Sequence, residues 1–143
     1  MNTKEYLSQV ERYNMQINNN IAEISRLRLL ATSISVATDK ENISASGNKD
    51  KLGGIVAKIV DLEHETNELI DDYINKRNHI IEQINAMKNN KYYDVLTLRF
   101  VNGFKINQIA DELLYSEDSI KRIQREAMNV FEKMFGQEYL KKS

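Results

Sequence analysis

The sequence of 143 residues contains no cysteine and no proline, and only five glycines. The missing cysteines exclude disulfide bridges and thiolate chemistry. The missing prolines leave long stretches in which no residue removes a backbone N–H from a helix. No apolar run approaches the ~20 residues that cross a bilayer as a helix, and the start of the chain does not resemble a signal or transit peptide. We therefore expect a helical, cytoplasmic protein that does not contact a membrane.

The chain also lacks an excess of positive charge, since its formal net charge is −1. Residues 1–90 hold eleven basic and thirteen acidic side chains, whereas residues 91–143 hold nine and eight. Non-specific affinity for nucleic acid comes from the neutralisation of phosphates. A single copy is therefore expected to bind DNA weakly, so that useful affinity requires a dimer or a protein partner.

The combinations of residues that catalysis requires are absent as well. The sequence contains no glycine-rich phosphate loop and no Ser-His-Asp or Cys-His set. His64 and Glu68 stand four residues apart and could share a metal, but no further ligand completes a site. The acidic residues around them favour a solvated helix face instead. We expect no enzymatic activity, no cofactor and no bound metal.

Two long stretches, residues 4–37 and 55–88, repeat apolar residues at steps of three and four, which is typical of coiled-coil seams. Residues 39–54 separate them and contain three of the five glycines, which predicts a loop. The resulting prediction for residues 1–90 is an antiparallel helical hairpin, a coiled-coil-like stalk. Apolar positions beside the seams, such as Val60, indicate that two hairpins associate into a dimer or higher oligomer. The alternative is a lone hairpin folded back on the rest of the chain.

Residues 91–136 contain three shorter amphipathic stretches, which predict three helices. Apolar residues recur on the second and third stretch with helical spacing: Ile106, Ile109, Ala110, Leu113, then Ile120, Ile123, Ala127, Val130 and Met134. A short turn at residues 114–116 separates the last two stretches, and Ser116 is a natural N-cap of the helix that follows. The sequence therefore predicts an all-α protein, a helical hairpin followed by a C-terminal helix-turn-helix, with residues 137–143 as a frayed tail.

The last predicted helix has a polar face opposite its apolar stripe. Asp118, Lys121, Arg122 and Arg125 project together from this face, which in a helix-turn-helix enters the major groove. Lysine and arginine there can neutralise phosphates, and arginine can read guanine edges. The complete set of candidate DNA contacts is Lys105, Tyr115, Ser116, Glu117, Asp118, Ser119, Lys121, Arg122 and Arg125. Glu117 and Asp118 either accept a hydrogen bond from cytosine N4 or cap the helix. The alternative for all nine residues is a solvated polar face that does not bind DNA.

This segment resembles region four of bacterial sigma factors. The residues that carry the resemblance are Leu98-Arg99-Phe100, Gly103, Gln108-Ile109-Ala110, Leu113, Ser116, Ser119-Ile120-Lys121 and Glu126-Ala127. Three positions depart from the pattern. Lys105 replaces a capping Ser or Thr, which moves the expected helix start to Asn107, Leu114 replaces the turn glycine, and Glu126 replaces a basic residue. The resemblance implies a DNA-binding helix-turn-helix.

A second resemblance extends over the whole chain. The stretch from Asp50 to Glu63, followed by the sigma-like segment, is similar to small late transcription regulators of the RinA and ArpU type in phages and prophages of Gram-positive bacteria. It implies regulation of phage late genes in the bacterial cytoplasm, with host RNA polymerase as a further partner. Two alternatives stay open: a small-terminase-like subunit that recognises DNA for packaging, and a sigma-like protein that binds polymerase without DNA affinity of its own.

Overall fold

The computed structural model describes residues 1–41 and 45–140, with side chains from 1–37 and 47–140. All regular structure in these ranges is helical, as the sequence predicts, and no strand occurs in them. The helices are α1 (Thr3–Leu7), α2 (Gln9–Glu41), α3 (Ala45–Asn85), α4 (Asn90–Leu96), α5 (Ile106–Leu113) and α6 (Glu117–Phe135). A π-helical turn (Thr97–Val101) follows α4, and a 3₁₀ turn (Gly136–Glu138) follows α6.

The expected loop at residues 39–54 is wrong for the residues that the structure describes. Helix α2 continues to Glu41, and α3 already begins at Ala45, so the glycines of this stretch lie inside α3. The remaining residues, 42–44, lie outside the described range. A glycine in a helix costs only about 1 kcal/mol relative to alanine. Without proline, no residue of the stretch prevents the backbone hydrogen bonds of the helix from forming.

Contacts within the chain group its residues into two compact units, Asn14–Asp72 and Met1–Tyr13 with Tyr73–Ser143. This grouping differs from the division at residue 90 that the sequence predicts. In the first of these units, the buried residues of α2 and α3 are Ile17, Leu27, Ile55 and Thr66. The Thr66 hydroxyl donates to the Leu62 carbonyl at 2.6 Å, so this buried polar group is satisfied.

The second unit contains two clusters of buried side chains. One combines α1, the start of α2, the end of α3, α4, the π-helical turn and α6. Its members are Tyr6, Leu7, Val10, Ile80, Ile84, Met87, Leu96, Phe100, Ala127, Phe131 and Tyr139. The other joins α4, α5 and α6 through Val95, Ile109, Ala110, Ile120 and Ile123. Residues of α6 belong to both clusters, because this helix is long enough to cover two groups of partners.

The C-terminal residues are also placed differently from the prediction. Tyr139 is buried, although residues 137–143 are expected to fray. Its ring stacks on that of Tyr6 with centroids 4.2 Å apart, and its hydroxyl lies 2.7 Å from that of Thr3. Residues 141–143 are outside the described range. Within that range, no helix combines the length and apolar character that a membrane span requires.

Candidate nucleic-acid interface

The turn between α5 and α6 depends on a left-handed residue. Leu114 has φ 61° and ψ 43°, and it is the one residue other than glycine with positive φ in the described range. The backbone N–H groups of Leu114 and Tyr115 both point to the carbonyl of Ala110, which ends α5. The departure from glycine at this position therefore leaves the turn geometry in place, at the cost of a conformation that L-residues disfavour.

Helix α6 begins as the sequence predicts. The Ser116 side chain is the N-cap, since its Oγ accepts from the Ser119 N–H at 3.1 Å. The Ser116 hydroxyl also donates to Oγ of Ser119 at 2.9 Å. Glu117 and Asp118 occupy the first turn, where the helix dipole favours acidic side chains. The two serines are thus held against each other, and their hydroxyls stand at the start of the exposed face.

The two sides of α6 have opposite character. Ile120, Ile123 and Ala127 are buried, whereas Asp118, Lys121, Arg122 and Arg125 are exposed. The buried stripe then continues through Phe131, whereas Val130 is half-buried and Met134 is 46 % exposed. Val130 packs against the buried cluster that contains Phe131, so the predicted stripe is wrong only at its last position, Met134.

The basic side chains of the exposed face differ in whether they form ion pairs. Arg122 lies 3.4 Å from the carboxylate of Glu126, and the other oxygen of Glu126 accepts from the Tyr92 hydroxyl at 3.3 Å. Burial and this carboxylate raise the pKa of Tyr92. Lys121 and Arg125 have no ion-pair partner among the described residues. Those two side chains are the ones available to an anionic ligand.

A further cation reaches the turn from α4. The Lys91 ammonium lies 5.7 Å from the centroid of the Tyr115 ring, close enough for a cation–π contact. The candidate set from the sequence omits Lys91, because the predicted stalk extends to residue 90, whereas α3 stops at Asn85. Asn89 instead caps α4, with its Oδ1 accepting from the Lys91 N–H at 2.9 Å. An Asn before a short apolar helix is the signal that could have indicated this.

Lys105 lies at the other end of α5 from the turn. It is the N-cap residue, so α5 begins at Ile106 and not at Asn107 as expected. Its backbone N–H donates to the Gln108 side chain at 2.8 Å, while its own side chain makes no capping bond. The loop before it is fixed by Arg99, whose guanidinium donates to the Phe104 carbonyl at 2.9 Å. The Lys105 side chain is exposed and is not brought into contact with the candidates on α6.

The acidic face of α3 contains the pair that the sequence singles out as possible metal ligands. His64 and Glu68 lie 3.5 Å apart, and both side chains are largely exposed to solvent. In the described ranges, no group of three or more His, Asp or Glu side chains is placed to hold a metal ion.

Comparison with known proteins gives one match. A family model described as a protein of unknown function (DUF1492) matches residues 29–132, which is well over half of the 143 residues. No curated protein and no solved structure matches the chain.

Proposed function

Because the chain belongs to the DUF1492 family, whose description gives no function, we propose one from the chain's own geometry. The protein binds double-stranded DNA in a sequence-specific way and regulates transcription of phage late genes. The observation that carries this proposal is the exposed face of α6, where Lys121 and Arg125 stand without an ion-pair partner in the described range. Such a face can neutralise phosphates and read base edges.

In this proposal α5, the turn at residues 114–116 and α6 act as a helix-turn-helix, with α6 as the recognition helix. The αL turn residue and the Ser116 cap support it, because they set the entry of α6 with its N-terminal residues exposed. The segment Asn14–Asp72 acts as an antiparallel helical hairpin. Asn20 bonds to Glu65 and the later Arg28 pairs with the earlier Glu63, as antiparallel helices require.

The candidate residues divide by role. Lys121 and Arg125 contact phosphates or guanine, and Arg122 exchanges its ion pair with Glu126 for DNA. Ser116 and Ser119 offer hydroxyls beside the first turn, where Glu117 and Asp118 disfavour phosphates and therefore restrict the approach. Tyr115, with Lys91 over its ring, and Lys105 contact the sugar-phosphate backbone at the edges.

The test measures binding of the protein to a fragment library of the phage or host genome at increasing salt concentration. The same measurement is made on Lys121→Ala, on Arg125→Ala and on the matched control Lys133→Ala. Lys133 is an exposed lysine in the last turn of the same helix. We expect one site to survive rising salt while bulk DNA dissociates, and the first two variants to weaken binding at unchanged helicity. Absence of binding at low salt would contradict the proposal and favour a polymerase-binding, sigma-like protein. A ring of many subunits at a packaging site would favour the terminase-like alternative.

A further inference from the structure

The ion pair of Arg122 on α6 has a second anchor on α4. Nη1 of Arg122 lies 3.4 Å from Oε1 of Glu126, and the Tyr92 hydroxyl donates to Oε2 of the same carboxylate at 3.3 Å. An exposed ion pair is weak by itself, because water and salt compete for both charges. Here Glu126 is half-buried, and the tyrosine holds its carboxylate from the other side. The negative charge therefore has a fixed place beside Arg122.

Spacing along the helix does not explain why Glu126 is the partner. Asp118 also stands four residues from Arg122, and an acid that precedes its base by four residues is the more favourable order. In the part of the chain that the structure describes, Asp118 nevertheless makes no ion pair, and the guanidinium contacts Glu126 instead. Glu126 differs from Asp118 in accepting the bond from Tyr92. We infer that this bond from α4 selects the anion that neutralises Arg122.

A carboxylate beside Arg122 affects the possible DNA partners of this arginine unequally. A phosphate that approaches Arg122 is an anion beside the Glu126 anion, and like charges repel. A guanine edge is uncharged and accepts two hydrogen bonds from one arginine, at O6 and N7. The ion pair occupies Nη1 alone, so among the described residues nothing blocks the edge formed by Nε and Nη2. That edge can meet a base before the ion pair opens.

We propose that Glu126, positioned by Tyr92, is a specificity-determining residue: it suppresses binding of Arg122 to phosphates and lets Arg122 exchange its ion pair only for a guanine edge. This role rests on the proposed DNA binding. Non-specific affinity comes from the neutralisation of phosphates, so an ion pair with no net charge contributes almost nothing to it. Affinity for the specific site, in contrast, includes the contact of Arg122 with the base.

The main experiment measures the affinity of the full chain for its specific fragment and for a fragment of unrelated sequence, by fluorescence anisotropy at several salt concentrations. The double variant Arg122→Ala/Glu126→Gln removes the ion pair without changing the net charge. It should lose about tenfold or more in affinity for the specific fragment, while its affinity for unrelated DNA stays that of the wild type. Glu126→Gln alone should bind unrelated DNA more tightly, with a slope of log K against log salt that is more negative by about 0.9.

The positioning role is tested by Tyr92→Phe, with Tyr93→Phe as the matched control. Tyr93 is the next residue of α4 and is 37 % exposed, and within the described range its hydroxyl makes no hydrogen bond. Tyr92→Phe should raise the affinity for unrelated DNA in the wild-type background but not in the Glu126→Gln background, at unchanged helicity. Tyr93→Phe should leave both affinities unchanged. Equal effects of the two tyrosine variants would overturn the positioning role of Tyr92.

The outcomes distinguish the role of Glu126 from the proposed function itself. A wild-type protein that binds no DNA at low salt would overturn both. If the wild type binds its site but the double variant loses equal affinity for the two fragments, Arg122 contacts a phosphate and the role of Glu126 alone is overturned. Unchanged affinity of the double variant for the specific fragment would overturn it as well, because Arg122 would then read no base.

Discussion

At the scale of single residues, the backbone conformation of Leu114 gives a direct prediction about stability. The residue takes a left-handed conformation while its side chain is 89 % exposed, so it gains almost no burial in return. Left-handed geometry costs an L-residue about 1–2 kcal/mol, and glycine loses about 0.5–1 kcal/mol more entropy on folding. We expect Leu114→Gly to raise the free energy of unfolding by about 0.5–1 kcal/mol in urea titrations followed by circular dichroism.

The control for this prediction is Leu114→Ala, which keeps a Cβ in the same conformation. Its stability should stay within about 0.5 kcal/mol of the wild type, because the side chain is exposed. A gain in Leu114→Ala equal to that of the glycine variant would show that the leucine side chain, and not the backbone, is the source of the cost.

Two tyrosines, Tyr6 and Tyr139, make the free energy of unfolding depend on pH in the alkaline range. Burial, together with the charge of Glu138, raises the pKa of Tyr6, and burial raises the pKa of Tyr139. An unfolded tyrosine ionises near pH 10, so above that pH the unfolded state binds fewer protons than the folded one. The contribution of the protonated tyrosines to the free energy of unfolding is therefore fully present below about pH 10 and is lost as pH rises further.

We therefore expect the free energy of unfolding, measured in guanidinium chloride, to be insensitive to these tyrosines at pH 8–9 and to fall from pH 10 to 11. Tyr6→Phe should be less stable at pH 8 by about 1 kcal/mol, since it loses the bond from its hydroxyl to Gln83. Its stability should nevertheless decline less steeply above pH 10. Equal slopes for the two proteins would contradict the role of Tyr6.

At the scale of elements, the glycines of α3 show that amino-acid composition alone can predict a loop where the chain is helical. The sequence predicts a loop from Gly53 and Gly54 because glycine is frequent in loops, yet both are helical, and a Cβ at either would meet nothing within 4 Å. Alanine should therefore stabilise the helix. We expect Gly53→Ala and Gly54→Ala each to raise the free energy of unfolding by about 0.5–1 kcal/mol in thermal or urea unfolding.

The opposite sign is expected at Gly103, which serves as the control. Its φ is +73°, and a Cβ there would lie 3.0 Å from Oε2 of Glu11. Gly103→Ala should thus lower the free energy of unfolding by about 1 kcal/mol or more. If the α3 variants also lost stability, the helical assignment of residues 45–54 would be wrong.

Local signals in the sequence predicted some elements of the candidate site and failed for others. Ser116 was predictable, because a cap is recognised from the residues next to it. Lys91 was not predictable, because its contact with Tyr115 depends on how α4 packs beside the turn. Met134 was predicted on the apolar stripe but is 46 % exposed, for a similar reason. Periodicity identifies an apolar face but does not tell which partner covers it, and α6 meets two different groups of partners along its length.

At the scale of the whole molecule, the all-helical class follows from periodicity and the absence of proline, while the grouping of helices does not. Three short helices at residues 91–136 have too little apolar surface to form a large core. The structure supplies the missing partners from Tyr6, Leu7 and Ile80, which the sequence assigns to a separate stalk. The apolar spacing of these stretches correctly predicts that one helix face is buried. The same spacing results whichever helix packs on that face, so it does not predict the partner.

The proposed DNA contact makes a prediction about salt dependence that also reports how many chains bind one target. Each phosphate contact contributes about −0.9 to the slope of log K against log salt. In a dimer both copies of Lys121 face one target, so Lys121→Ala should make the slope less negative by about two, and by about one if a single chain binds. Fluorescence anisotropy on one operator fragment at several salt concentrations measures this slope. A change of about one would indicate that a single chain binds DNA, and an unchanged slope would contradict a phosphate contact by Lys121.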